Sequence, residues 1–156
     1  VAVSEPKMAN LPADLSGLNL LILNVGELHA RVGRNLNTEA DIAAACREVH
    51  AQGVRRIIVT RGAQGVLYSE YSEYSDDHDG KDNGGSLSHI PAPAVTVRDV
   101  TGAGDSFSAA VCWSLYHAPD DLGLAARRGV ALSALTVQSE QSVLPDLHAD
   151  LLESVD

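Results

Sequence analysis

The sequence predicts an α/β fold, a doubly wound and mostly parallel sheet flanked by helices. Three observations point there. Leu18 to Leu23 (LNLLIL) is almost entirely apolar, as a parallel strand buried on both faces would be. Arg56 to Thr60 has the same character, and a helical pattern separates the two: Thr38 as cap with Asp41 three residues on, then Ile42, Cys46 and Val49 on one face, closed by Gly53. Third, Asp99-Val100-Thr101-Gly102-Ala103-Gly104-Asp105-Ser106-Phe107 sets a turn with two glycines between an extended run and an apolar helix.

Composition narrows the function classes. At 156 residues and 45% hydrophobic, the chain can bury one real core. A net charge of -10 argues against nucleic acid as a partner, because binders of the phosphate backbone present a basic face. It leaves ATP open, since local N–H groups and a metal hold that ligand. Cys46 and Cys112 lie far apart in helical patterns, which implies no disulfide framework and fits a reducing, cytoplasmic setting. No apolar run reaches the ~18 residues of a membrane span, and no signal-peptide pattern appears.

In chain order, Val1 to Val3 reads as the end of a strand, so the chain is expected to be part of something longer, and Ser4 as the cap of a short helix that exposes Lys7. The first buried strand ends in Asn24-Val25-Gly26-Glu27, polar groups at the carboxyl edge where open α/β sheets bind ligands. After Arg56 to Thr60 come the turn Arg61-Gly62-Ala63-Gln64-Gly65 and a strand from Val66 to Ser69. Glu70 to Ser86 breaks the pattern with six acidic residues against Lys81 and reads as an acidic, flexible hairpin tip. A calcium loop fails there, because Gly80 at its turn position puts Ser75 where the first ligand belongs. Strands are expected at Leu87 to Ile90 and Ala94 to Val97, then helices from Phe107 to Tyr116 and from about Asp121 to Val137. Phe107, Val111 and Leu115 form one core face, with Cys112 and Trp113 packed nearby; Arg127 and Arg128 read as solvated, and Pro145 opens a short final helix.

The 99–107 stretch carries the chemistry. The first N–H groups of a helix lack internal partners and lie at the positive end of its dipole, so glycines there admit a phosphate. A carboxylate in such a turn needs its own reason. Asp105, with an ordinary pKa of about 3.9, could accept a proton from a hydroxyl while those amides stabilise a transferring phosphoryl group. It could equally be a helix cap.

With these residues in view, the chain resembles the C-terminal half of a ribokinase-like (PfkB) carbohydrate kinase. Asp99 to Asp105 is similar to that family's D-T-x-[GA]-A-G-D signature, Thr60 to Gly65 to its T-x-G-x-x-G nucleotide turn, and Asn24 to Glu27 to its N-x-x-E motif. The resemblance spans residues 1–156 and implies an ATP-dependent transfer of the γ-phosphate to a sugar or nucleoside hydroxyl. It implies Asp105 as the base and the N–H groups of Gly102, Ala103 and Gly104 as the anion hole. Thr60, Gly62 and Gly65 would line ATP, Asn24 would touch its phosphates, and Glu27 would position Mg²⁺ through water. Asp99 and Thr101 match the place where many members hold a monovalent cation, typically K⁺. Ser139 to Pro145 departs from the family pattern that completes that cation site, where Ser142 is the nearest substitute. The sugar-binding Asp, the Gly-Gly-Asn segment and the β lid of the family's first half are not in these residues, so an N-terminal segment or a homodimer partner is expected to supply the substrate pocket. The opening Ser4-to-Lys7 spacing resembles pseudouridine kinases within the family. The competing expectation is a nucleotide-binding fragment without activity of its own. A dehydrogenase domain is disfavoured, because no G-x-G-x-x-G follows the first strand.

Overall fold

A computed structural model describes residues 5–71, 86–141, 143–145 and 147–155. Val1 to Ser4, Ser142 and the acidic tip from 72 to 85 lie outside the described residues. The chain forms a mixed four-stranded sheet with helices: β1 (Leu20–Asn24), α1 (Val25–Val32), α2 (Glu39–Ala51), β2 (Arg56–Thr60), β3 (Val66–Glu70), β4 (Ser88–Ile90), α3 (Ala103–His117), α4 (Leu122–Thr136) and α5 (Asp150–Glu153). The strand order is β1-β2-β3-β4. By its contacts the chain divides into two compact units, residues 1–61 with 67–88, and 62–66 with 89–156.

In the first unit, β1 and β2 pair in parallel, from Leu20 opposite Arg56 to Asn24 opposite Thr60. Leu21, Ile22, Leu23, Ile57, Ile58 and Val59 are all buried, as the continuous apolar runs require. A core of Leu21, Leu23, Leu28, Ile42, Cys46, Val49, Ile57 and Leu67 joins the strands to α1 and α2. The Cys46 thiol sits inside it, and burial pushes its pKa up to about 12, so it is packing rather than chemistry. β3 runs antiparallel to β2: five residues are too few for a parallel crossover, and the Tyr71 N–H donates to the Arg55 carbonyl at 2.8 Å. The sheet is therefore mixed, its parallel character resting on β1 and β2. α2 follows expectation, with Thr38 accepting from the Asp41 N–H and Asp41 from the Thr38 N–H. α1 does not, since the strand edge expected at 24–27 is instead the N-cap and first turn of a helix.

In the second unit, α3 and α4 pack closely. Gly129 makes this possible, because a Cβ there would stand 2.5 Å from the Phe107 ring. Phe107, Ala110, Val111 and Ser114 are the buried positions of α3, while Cys112 is exposed rather than packed. Arg128 is not solvated. Its guanidinium donates to the Leu152 carbonyl (2.8 Å) and the Ser114 hydroxyl (3.0 Å) and lies over the Trp113 ring, tying α5 to the helix pair. The final helix starts at Asp150, not at Pro145. The strand expected at Ala94 to Val97 is absent. Pro91 and Pro93 lack the N–H a ladder needs, and the Arg98 and Asp99 amides donate instead to the Val137 carbonyl (2.7 and 3.3 Å). Among the described residues no helix is long and apolar enough to cross a membrane.

His50, at the end of α2, is buried between the Val54 carbonyl (2.7 Å from Nδ1) and the Ser69 hydroxyl (2.8 Å from Nε2). Burial lowers its pKa below the ordinary 6.5, partly offset by the bond to Val54. The neutral ring is thus the folded form. Its stabilisation is complete above pH 6.5 and is lost as pH falls from there through the folded-state value. Urea unfolding at pH 7.5 and 5.5 should show stability falling, with a slope of at most about 1.4 kcal/mol per pH unit from this group. His50→Gln should flatten that slope, and equal midpoints in the unaltered chain would refute it.

Candidate functional site

In the first unit, the carboxyl ends of β1 and β2 bring Asn24 and Thr60 side by side. The Thr60 hydroxyl donates to the Leu23 carbonyl at 3.4 Å, and Arg61 forms an ion pair with Glu39. Asn24 is also the N-cap of α1. Its Oδ1 accepts from the Glu27 N–H at 2.9 Å, and Glu27 Oε2 accepts from the Asn24 N–H at 2.8 Å. This reciprocal pair is a capping box, and its N-x-x-E spacing was the signal from which α1 could have been read.

In the second unit, Gly62 opens a one-turn 3₁₀ helix (Gly62–Gln64) at φ 57, with nothing near a would-be Cβ. Gly65 differs. A Cβ there would lie 2.0 Å from the Ile90 carbonyl oxygen and 2.7 Å from the Ala92 nitrogen. The crossing of the 90–92 backbone explains this glycine, which therefore gives no support to a nucleotide contact.

The 99–107 stretch is built from its first carboxylate. Asp99 Oδ1 accepts from the Thr101 N–H (2.9 Å) and hydroxyl (2.8 Å), closing an Asx turn. Thr101's amide, then its hydroxyl, hold the Asp99 carboxyl below the ordinary 3.8. Gly102 follows at φ 81, a left-handed conformation that only glycine adopts cheaply, and is the N-cap of α3. The helix thus begins at Ala103, four residues before the expected Phe107, and Gly104 and Asp105 lie in its first turn.

The Ala103 N–H donates to the Val100 carbonyl at 3.2 Å, so this member of the expected anion hole is already engaged. The Gly102 and Gly104 amides donate to no protein acceptor among the described residues. Gly104 has ordinary helical φ, and nothing stands within 4 Å of a would-be Cβ. Asp105 is exposed, with no hydrogen bond or ion pair among the described residues, and α3 has no side-chain cap. α4 steadies this turn: the Ser133 hydroxyl donates to the Ala103 carbonyl (2.8 Å), and the Thr136 hydroxyl bonds that of Ser106 (2.8 Å). Sequence reasoning missed both residues, because nothing in a helix interior marks a hydroxyl that reaches a second helix.

Comparison with known proteins decides the family. The profile described as pfkB family carbohydrate kinase matches residues 2–149. The chain belongs to that family. It is 32% identical over 125 residues to 1-phosphofructokinase of Haloferax volcanii, covering 80% of this chain and 36% of that protein. The phosphofructokinase-2 of Escherichia coli, solved in complex with potassium, superposes with a TM-score of 0.71 at 25% identity, over 90% of this chain and 41% of that one. Arabidopsis thaliana ribokinase, solved with ribose and ATP, shares the fold with a TM-score of 0.67 at 22% identity, over 90% of this chain and 39% of its own. This pfkB-family chain thus spans well under half of the relatives it matches.

The glycines of this family member separate by cause, which can be tested. Gly65→Ala should destabilise the chain by several times the cost of about 1 kcal/mol for an αL alanine, because the methyl meets backbone. Gly62→Ala should cost only that smaller amount. Paired thermal melts read the difference, and equal losses would remove the packing explanation.

Proposed function

We propose that this chain carries the nucleotide-binding and general-base part of an ATP-dependent kinase that phosphorylates a hydroxyl of a sugar or nucleoside. The observation that carries the reading is the first turn of α3. Gly104 has neither the positive φ of Gly62 and Gly102 nor the crowding of Gly65 and Gly129, and costs about 0.5–1 kcal/mol of helix stability relative to alanine. A ligand approaching the backbone supplies the missing reason. Next to it stands Asp105, exposed and without a side-chain partner among the described residues.

In this reading the Gly102 and Gly104 amides, with Ala103 between them, face the γ-phosphate, where fixed dipoles stabilise charge without reorganising. Asp105 takes the proton from the acceptor hydroxyl as that oxygen attacks the γ-phosphorus and the bond to the bridging oxygen breaks, releasing ADP. Thr60 and Gly62 line the nucleotide. Glu27 fits Mg²⁺: Oε2 is committed to the Asn24 amide, and the other oxygen remains for a water of an ion that keeps most of its shell on water and phosphate. That ion would neutralise phosphate charge. Asp99 and Thr101 offer the oxygen chemistry of a K⁺ ligand set beyond their bonds to each other. The short span relative to its relatives favours a second reading, a nucleotide-binding unit without turnover.

Two experiments test the proposal. Gly104→Ala should raise the melting temperature yet weaken ATP binding in calorimetry, because its methyl enters the ligand's space; unchanged affinity would dissolve the anion hole. Asp105→Asn should keep ATP affinity and cut ADP release, measured against a panel of sugars and nucleosides in K⁺ and in Na⁺, by about 10²–10⁴-fold. Turnover near that of the unaltered chain would remove the base, whereas ATP binding without any ADP release would favour the second reading.

A further inference from the structure

We infer that Asn24 is a positioning residue, serving the site as the N-cap that locks Glu27 rather than as a contact to phosphate. The inference rests on the proposed Mg²⁺ role of Glu27. Asn24 sits at φ -92, ψ 175, the extended conformation of an N-cap, at the last position of β1. No loop separates strand from helix, so one residue both ends the strand and starts α1. Its Oδ1 holds the Glu27 N–H, while its own N–H holds Glu27 Oε2.

Two bonds in opposite directions close a ring and fix the carboxylate of a half-buried Glu27, leaving Oε1 as its uncommitted oxygen. A glutamate on a free helix surface samples many rotamers, and ordering one costs entropy. Here the cap has already imposed that order, and the strand pairing of Asn24 with Thr60 ties the cap to the sheet. The asparagine is needed because its side-chain oxygen accepts. Serine accepts equally well at an N-cap, but its hydroxyl, one bond shorter and held against the Glu27 N–H, does not reach the place where the asparagine NH₂ would meet a phosphate.

That difference makes the test. Asn24→Ser, Asn24→Gly, Asn24→Ala and Glu27→Gln are compared by thermal melts in EDTA and by calorimetric ATP titration across a Mg²⁺ series. Positioning predicts that Asn24→Ser matches the unaltered chain in both. Asn24→Gly tolerates the cap conformation without its acceptor. It should fold and lose about tenfold or more in apparent Mg²⁺ affinity, as loss of an outer-shell partner typically does. Asn24→Ala should lose melting temperature as well. If Asn24→Ser instead binds ATP as weakly as Asn24→Gly while melting normally, a direct contact replaces the positioning role. Glu27→Gln can keep the capping box and should melt normally but lose its Mg²⁺ dependence. Retained Mg²⁺ dependence in that variant would overturn the metal role of Glu27 while the metal-free melts still report the cap. An unaltered chain that binds no ATP would overturn both.

Discussion

A helix capped by glycine has no cap side chain to hold its first turn, and the N-cap of α3 is Gly102. The end of α4 supplies the hold. Ser133 takes the Ala103 carbonyl, Thr136 takes Ser106, and the Val137 carbonyl receives the Arg98 and Asp99 amides. Together with the Asp99–Thr101 turn, these bonds fix the backbone on both sides of the two glycine amides. An anion site needs this rigidity, because amides already oriented toward a charge spend nothing on turning to meet it. The close approach of α4 to α3 depends in turn on Gly129, which leaves room for the Phe107 ring.

The first unit solves a similar problem differently. At the carboxyl edge of β1 and β2 the side chains cap their own helix, so order at Asn24 and Glu27 is local and survives without help from a second helix. Beneath them the strands are held by burial, and His50 and Ser69 satisfy each other where α2 meets β3. A buried imidazole with both nitrogens engaged adds specificity but ties that junction to pH.

The sequence patterns were most legible where one residue type had one cause. The buried strands, α2 with its Thr38 cap, and α4 from about Asp121 follow from apolar runs and spacing. The pfkB-family signature was legible because its glycines and aspartates are adjacent in the chain. Legibility failed where a neighbour decided. Ala94 to Val97 has strand-like composition, but the prolines beside it cannot donate to a ladder, and its successors bond to α4. Arg128 read as solvated, because an arginine on a helix gives no sign that a carbonyl of α5 waits for it. α1 was missed for a third reason: a capping box and a ligand-binding motif present the same letters.

What the sequence by itself determined is the set of local commitments: which segments bury, where caps and turns fall, and the family to which the 99–105 and 60–65 turns belong. Those depend on side-chain hydrophobicity and on bonds between residues a few positions apart, both of which are written along the chain. Only the tertiary structure separated Gly65, Gly129 and Gly104 by cause. Gly65 answers to Ile90 and Gly129 to Phe107, whereas a Cβ at Gly104 would meet nothing among the described residues. The space above a backbone is set by residues distant in sequence, so it exists only once the chain has folded.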